Sequence, residues 1–335
     1  MPFRKGSSSA VALRSAVNNP TRRAPCGCAN FDDMEFGNLE RKGSIELPMK
    51  CDFYVLRKMR FDCGAISAAR LLVLLVAVIS AAAVSAQDNY EIQVYGSDVV
   101  APRSTMFEIH SNFTVEGSKT VQDGVLPTNH AEHETLEITQ GINDWAEVGF
   151  YVFTSIQSDG GWQWVGDHIR PRVRVPESWH WPVGVSLSNE IGYQRAAFSP
   201  DTWTWEIRPI VDKKIGPWYL AFNPALDRSW HGPGVNQGVT FSPNAKFSYD
   251  FTKKIAGGLE YYASYGSLTG FDALRDQQQQ FFPAIDVDFA PQWEFNFGVG
   301  VGATRSTDHL IVKCIIGRRF SWPHGGAAKL KNPSP

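Results

Sequence analysis

Apolar and polar residues alternate along most of the chain from residue 105 onward. In FEIHSNFTV (107–115) the odd positions are mostly apolar and the even ones polar. A period of two places the two sets on opposite faces of an extended strand. The stretches VGVSLSNEI at 183–191, AKFSYDF at 245–251 and WEFNFGVGV at 293–301 repeat the pattern. It predicts twelve strands, over 105–115, 132–141, 146–156, 165–175, 183–194, 203–211, 218–228, 239–250, 255–265, 281–289, 293–303 and 309–320. Most are near the roughly 9–11 residues that a tilted membrane strand requires.

The connections alternate too. Those at 141–144, 212–217, 252–254 and 290–292 are short, and 176–182 is only slightly longer. Those at 116–129, 229–238 and 266–280 are long and polar. Short turns at one end, long loops at the other and an even strand count are the arrangement of a bacterial membrane barrel with both termini on one side. Pro171, Pro209, Pro243 and Pro283 open strands that run in the same direction, 34 to 40 residues apart. Proline cannot donate to a ladder, so bulges that shift the side-chain phase are expected near each.

Composition strengthens the barrel against its rival, a soluble sandwich. Aromatics make up 13% of the chain, and none of the eleven Trp precedes Trp145. Trp145, Trp179, Trp181, Trp218 and Trp293 border the short turns, whereas Trp162, Trp164, Trp203 and Trp230 lie towards the long loops. Two such bands read as the interfacial girdles of a transmembrane barrel, facing outer-membrane lipid and lipopolysaccharide. Mean hydropathy of −0.23 argues against a helical membrane protein. A net charge of −2 with scattered charges gives no case for nucleic acid as a partner. The fold class expected is all-β, a single antiparallel transmembrane β-barrel of about twelve strands over 105–320.

The one long apolar run, LLVLLVAVISAAAV at 71–84, is shorter than the roughly 20 residues of a spanning helix. Arg60 and Arg70 precede it and Val84-Ser85-Ala86 follows. These are the parts of a secretory signal over 59–86, with translation starting at Met59. Residues 1–58 are then a spurious or disordered extension, 87–104 a polar lead-in on the inner, periplasmic side, and 321–335 a disordered tail. Cys314 is the only Cys after residue 86, so no intramolecular disulfide is expected. Cys26-Gly-Cys28 lacks zinc-site spacing, and no metal or cofactor is expected.

The last strand, LIVKCIIGRRF at 310–320, carries Leu310, Val312, Cys314 and Ile316 on one face and ends on Phe320 after Gly317. It resembles the C-terminal signal of outer-membrane barrels, in which a terminal aromatic and a preceding Gly are read by the barrel assembly machinery. Arg318 departs from it at a usually apolar position. The stretch ETLEITQGINDWAEVGF at 134–150 is similar to the strand–turn–strand hallmark of outer-membrane proteins named for the MetA pathway of phenol degradation. That resemblance implies a channel or transporter for small solutes, including hydrophobic or aromatic ones. It implies no catalytic residues.

If odd positions of 165–175 face lipid, then His168, Arg170, Arg172 and Arg174 face the lumen, as do Asp286 and Asp288 on the strand six places round. Twelve strands about 4.8 Å apart and tilted about 40° give a backbone diameter of roughly 24 Å and, between side chains, a gap of about 10 Å. A basic ladder facing acids across that gap makes the transverse field of a conduit. The alternative is that these charges pair with Glu147, Glu190 and Glu206 and fill the barrel as a polar plug. A third reading is a barrel-borne lipid hydrolase, for which Glu108 with His110 and His133 with Glu137 are same-face candidates. No G-x-S-x-G, H-E-x-x-H or P-loop pattern supports it. A structural or adhesive barrel remains open as well.

Overall fold

The computed structural model describes residues 89–322. The expected signal, the 1–58 extension and all but the first two residues of the 321–335 tail lie outside them. Twelve long strands form the wall: β1 (Ser104–Glu116), β2 (Glu132–Asn143), β3 (Ala146–Ile156), β4 (Trp162–Arg174), β5 (Gly184–Gln194), β6 (Trp203–Ile215), β7 (Trp218–His231), β8 (Val239–Asp250), β9 (Ile255–Ser264), β12 (Gln278–Val287), β13 (Trp293–Gly302) and β14 (Leu310–Ser321). Two-residue strands β10 (Gly266–Ser267) and β11 (Gly270–Phe271) make a small hairpin in the loop before β12. Each long strand pairs antiparallel with the next, β9 with β12, and β1 closes on β14 with Ser104 opposite Ser321. The sheet is a closed twelve-stranded barrel, as the alternation predicted.

Side chains alternate across the wall. On β1, Phe107, Ile109 and Phe113 are exposed on the outside while Glu108, His110 and Asn112 are buried inside. On β4, Ile169 and Val173 point out and His168, Arg170 and Arg172 point in. Apolar outside and polar inside is the reverse of a soluble protein, and it is stable only where the outer surface meets hydrocarbon. Trp145, Trp179, Trp181 and Trp218 are exposed at the short-turn end, with Trp293 half-buried beside them. Trp162, Trp164, Trp203 and Trp230 are exposed towards the loop end.

The four prolines produce no bulge. Pro171 stays in register with Val148, Pro209 with Leu187, Pro243 with Pro224 and Pro283 with Leu259. Pro171 and Pro283 are exposed on the outer face, Pro209 is half-buried and Pro243 buried, and the missing N–H of each costs pairing on one side only. The β6–β7 ladder, for example, lapses between Ile207 and Val211 and resumes in the same phase. The register shifts fall elsewhere, at 114/116, 141/143, 153/154 and 203/204. Strand β6 runs four residues past its expected end because the turn is only Gly216-Pro217, with Ile215 opposite Trp218. Gly216 adopts φ +60, a left-handed conformation that costs Gly little.

Candidate functional site

The lumen is occupied by the chain's own N-terminal segment. Residues 89–100 belong to no strand, yet Asn89, Tyr90, Ile92, Val94, Tyr95, Ser97 and Val100 are buried. At roughly 3.3 Å per residue an extended stretch of this length covers about 36 Å, the height of the wall. Its contacts give the direction. Asn89 Nδ2 donates to Asp308 in the β13–β14 loop, at the loop end. Arg103 O accepts from Trp322 N at the short-turn end. The segment therefore enters at the loop mouth, descends the barrel and turns back into β1. The reading of 87–104 as a lead-in outside the barrel does not describe 89–100. In Tyr90-Glu-Ile-Gln-Val-Tyr95 the period-two alternation is present, and that signal could have placed the segment against the wall.

Wall side chains hold the segment along its length. Asn112 Nδ2 donates to Asn89 O at 2.8 Å and Thr135 Oγ1 to Tyr90 O at 2.6 Å. Lys313 Nζ reaches Ile92 O at 3.0 Å. Asn223 takes both backbone groups of Tyr95. Arg172 donates to Gly96 O at 3.1 Å and Asp98 O at 2.6 Å, and Glu147 accepts from Val100 N at 2.6 Å.

The charged residues expected in the lumen are there, except Asp288, and Glu147, Glu190 and Glu206 pair with neighbouring basic residues as the polar-plug alternative expected. Arg170 pairs with Glu137 at 2.6 Å, Arg172 with Glu147 at 2.7 Å, and Arg174 with Asp98 of the segment at 2.9 Å. Glu190 meets His168 at 2.5 Å, and Gly192 leaves the space that this ring fills: a Cβ there would stand 1.6 Å from His168 Cδ2. Glu206 and Glu91 of the segment both face Arg208, at 2.6 and 3.7 Å. Asp286 faces inward but pairs with Lys246 of β8 at 2.8 Å. Asp288 lies beyond the end of β12, in the turn. The open transverse field between Arg170–Arg174 and Asp286–Asp288 is thus replaced by local pairs and an intervening segment. A charge withdrawn from water is tolerated only beside an opposite one, which is why neighbours pair before distant walls do. Lys246, Lys313 and Glu260, absent from the expected set, form a second buried cluster.

The candidate hydrolase residues also meet in the lumen. His110 Nε2 stands 3.5 Å from Glu137 Oε2, and Tyr90 packs edge-on against His133. Both imidazoles are buried and neither makes a hydrogen bond among the described residues. They lie inside the barrel rather than at a lipid-facing rim, and no hydroxyl or thiol bonds either imidazole among the described residues. No group of His, Cys, Asp and Glu suited to a metal occurs among the described residues.

The loop mouth is tied separately. Asp308 accepts from Thr128 Oγ1 at 2.7 Å as well as from Asn89. Arg305 Nε donates to Asp276 at 2.9 Å, joining the β13–β14 loop to the β11–β12 loop. Slight desolvation opposes it, but hydrogen bonds from Arg305 and Arg275 hold the Asp276 carboxyl below its ordinary range. Burial and the Asp276 charge push Asp272 up.

No family model and no curated protein matches the chain. Among solved structures, the COG4313 outer membrane channel from Pseudomonas putida F1 is similar at 9% identity and TM-score 0.48, over 69% of this chain and 100% of that one. The NanC porin is similar at 7% identity and TM-score 0.44, over 64% and 100%. The KdgM porin in complex with disordered oligogalacturonate is similar at 12% identity and TM-score 0.37, over 66% and 99%. At these values the barrel assignment rests on strand order, register and the apolar outer face. Those observations define a transmembrane β-barrel whose polar lumen holds residues 89–100.

Proposed function

We propose that the protein is a bacterial outer-membrane channel for small solutes whose lumen is closed by its own N-terminal segment. The observation that carries this reading is the way the segment is held. It shares no ladder with any strand, and side-chain contacts with the wall hold it in place, so it can move without opening the barrel. The short turns then face the periplasm and the long loops the exterior, and the signal at 59–86 supplies export. The 134–150 hairpin, with its likeness to the phenol-degradation barrels, favours hydrophobic or aromatic solutes. Conductance across planar bilayers tests the reading, with the mature chain compared to a variant lacking 89–100. The variant is expected to conduct continuously and the mature chain in brief openings. Closed behaviour from both would refute it.

A further inference from the structure

The ring of Tyr95 sits at mid-lumen against three guanidinium groups. Arg170 lies 4.4 Å from its centroid, Arg208 5.2 Å and Arg172 5.6 Å. Guanidinium groups at such distances attract an aromatic ring electrostatically, the more so away from water. At the hydroxyl edge of the ring lies the carboxylate of Glu91, bonded to Tyr95 Oη and reached by Arg208 at 3.7 Å. Ring and carboxylate come from two residues, yet together they have the outline of one aromatic acid. On this basis we infer that the place held by Tyr95 and Glu91 is a binding seat for an aromatic carboxylate, which enters when the segment moves aside. The inference rests on the channel reading above and adds a substrate class to it.

The wall chemistry agrees. Apart from those accepted by Asn223 Oδ1, Glu147 and, in the loop, Asp308, the hydrogen bonds described above run from wall donors to segment acceptors, with Arg172, Asn223 and Lys313 among the donors. Wall carboxylates hold one side of these guanidinium groups, but Arg170 Nε and Nη1 and Arg172 Nε make no hydrogen bond among the described residues, and moving the segment aside opens these donors to an anion. Planar guanidinium forks take a carboxylate by paired hydrogen bonds. A small inorganic anion would use the forks and leave the ring faces bare. A neutral aromatic would use the faces and leave buried donors unmatched, at a cost. Tyr151, whose ring lies 5.1 Å from Arg170 on the side of the wall, completes an aromatic lining.

The test is calorimetric titration of the purified mature chain with benzoate, benzyl alcohol and acetate. Tyr95→Ala/Glu91→Ala empties both the ring and the carboxylate positions without touching the wall. It should bind benzoate at least tenfold more tightly than the unsubstituted protein does, and at least tenfold more tightly than it binds benzyl alcohol or acetate. Equal affinity for the three probes, or no binding, overturns the seat. Hydrogen exchange of 89–100 in the unsubstituted protein gives a second readout that needs no variant. Benzoate alone should raise it about tenfold, and no difference among the probes overturns the seat equally. Conductance of the variant lacking 89–100 is read apart from this. If it conducts while benzoate fails to discriminate, the seat is wrong and the channel stands. If it stays closed, the channel reading falls and benzoate binding alone decides the seat.

Discussion

Asn223 on β7 holds Tyr95 by both of its backbone groups: Tyr95 N donates to Asn223 Oδ1 at 2.8 Å, and Asn223 Nδ2 donates to Tyr95 O at 2.9 Å. One side-chain amide here imitates a strand neighbour at a single residue, and it does so where both residues are buried. Replacing it with Leu leaves two buried backbone groups unmatched, at about 1–3 kcal/mol each before water enters. Asn223→Leu should therefore raise the open fraction in bilayer recordings by roughly tenfold or more, with the barrel still folded by its heat-modifiable migration. An unchanged open fraction would show that Tyr95 is not the segment's main anchor.

The outer face sets the second expectation. Ile169 is exposed near the middle of β4, where the wall meets hydrocarbon. An Arg on the lipid face near the midplane costs about 2–4 kcal/mol. Ile169→Arg should lower unfolding stability in lipid by that amount, measured by urea titration in vesicles, and Ile169→Leu should change it little. Equal stability of the two variants would place β4 in the opposite phase.

The closing seam has its own test. Phe320 meets Phe107 edge-to-face at a centroid distance of 5.5 Å across the β1–β14 junction. A Cβ on Gly317 would come within 2.2 Å of Met106 Cε and 2.9 Å of Glu108 Cγ. Phe320→Ala removes a contact worth about 0.5–1.5 kcal/mol beyond its buried area. Both Phe320→Ala and Gly317→Val should slow barrel assembly in a folding time course, with Gly317→Val slower because it crowds the lumen side of the last strand. Assembly at the unsubstituted rate would remove these residues from the assembly signal.

The mouth responds to acid. The folded Asp276 carboxyl titrates below its ordinary value, near 3.9 when unfolded, so its contribution is complete above that pH and is lost as pH falls through the folded value. Protection factors in the β13–β14 loop should fall between pH 5 and pH 2, about where carboxylates protonate. In Arg305→Gln they should already be low at pH 5. A pH-independent loop would mean that the Arg305–Asp276 pair does not tether it.

The wall was legible in the sequence because lipid and lumen impose opposite preferences at every second residue. Ile169 and Val173 against Arg170 and Arg172 mark the phase without any structure. The prolines misled, since a missing donor is a one-sided defect that an otherwise paired strand absorbs without slipping. Partners inside the barrel were harder to foresee. Alternation places Arg174 in the lumen but cannot say whether Asp286 or Asp98 faces it, because Asp98 arrives from a segment outside the repeat. The role of Tyr90–Tyr95 was written in an alternating run of six residues, shorter than any long strand of the wall. Only its burial against Asn112, Thr135 and Lys313 shows that it lines the wall from within.

The central claim is that solute passes only when the segment moves, and a reversible lock tests it most directly. A Cβ built on Gly184 of β5 lies 3.1 Å from Ser97 Cβ, short of the roughly 3.5–4.5 Å of disulfides, and 2.1 Å from Asp212 Oδ1, so a bond requires the Asp212 side chain to turn away. Cys314, the only other Cys among the described residues, sits on the outer face of β14. Single-channel conductance of Ser97→Cys/Gly184→Cys should be silent when oxidised and return on adding reductant. Openings in the oxidised protein that match the unsubstituted channel in size and frequency would contradict the claim.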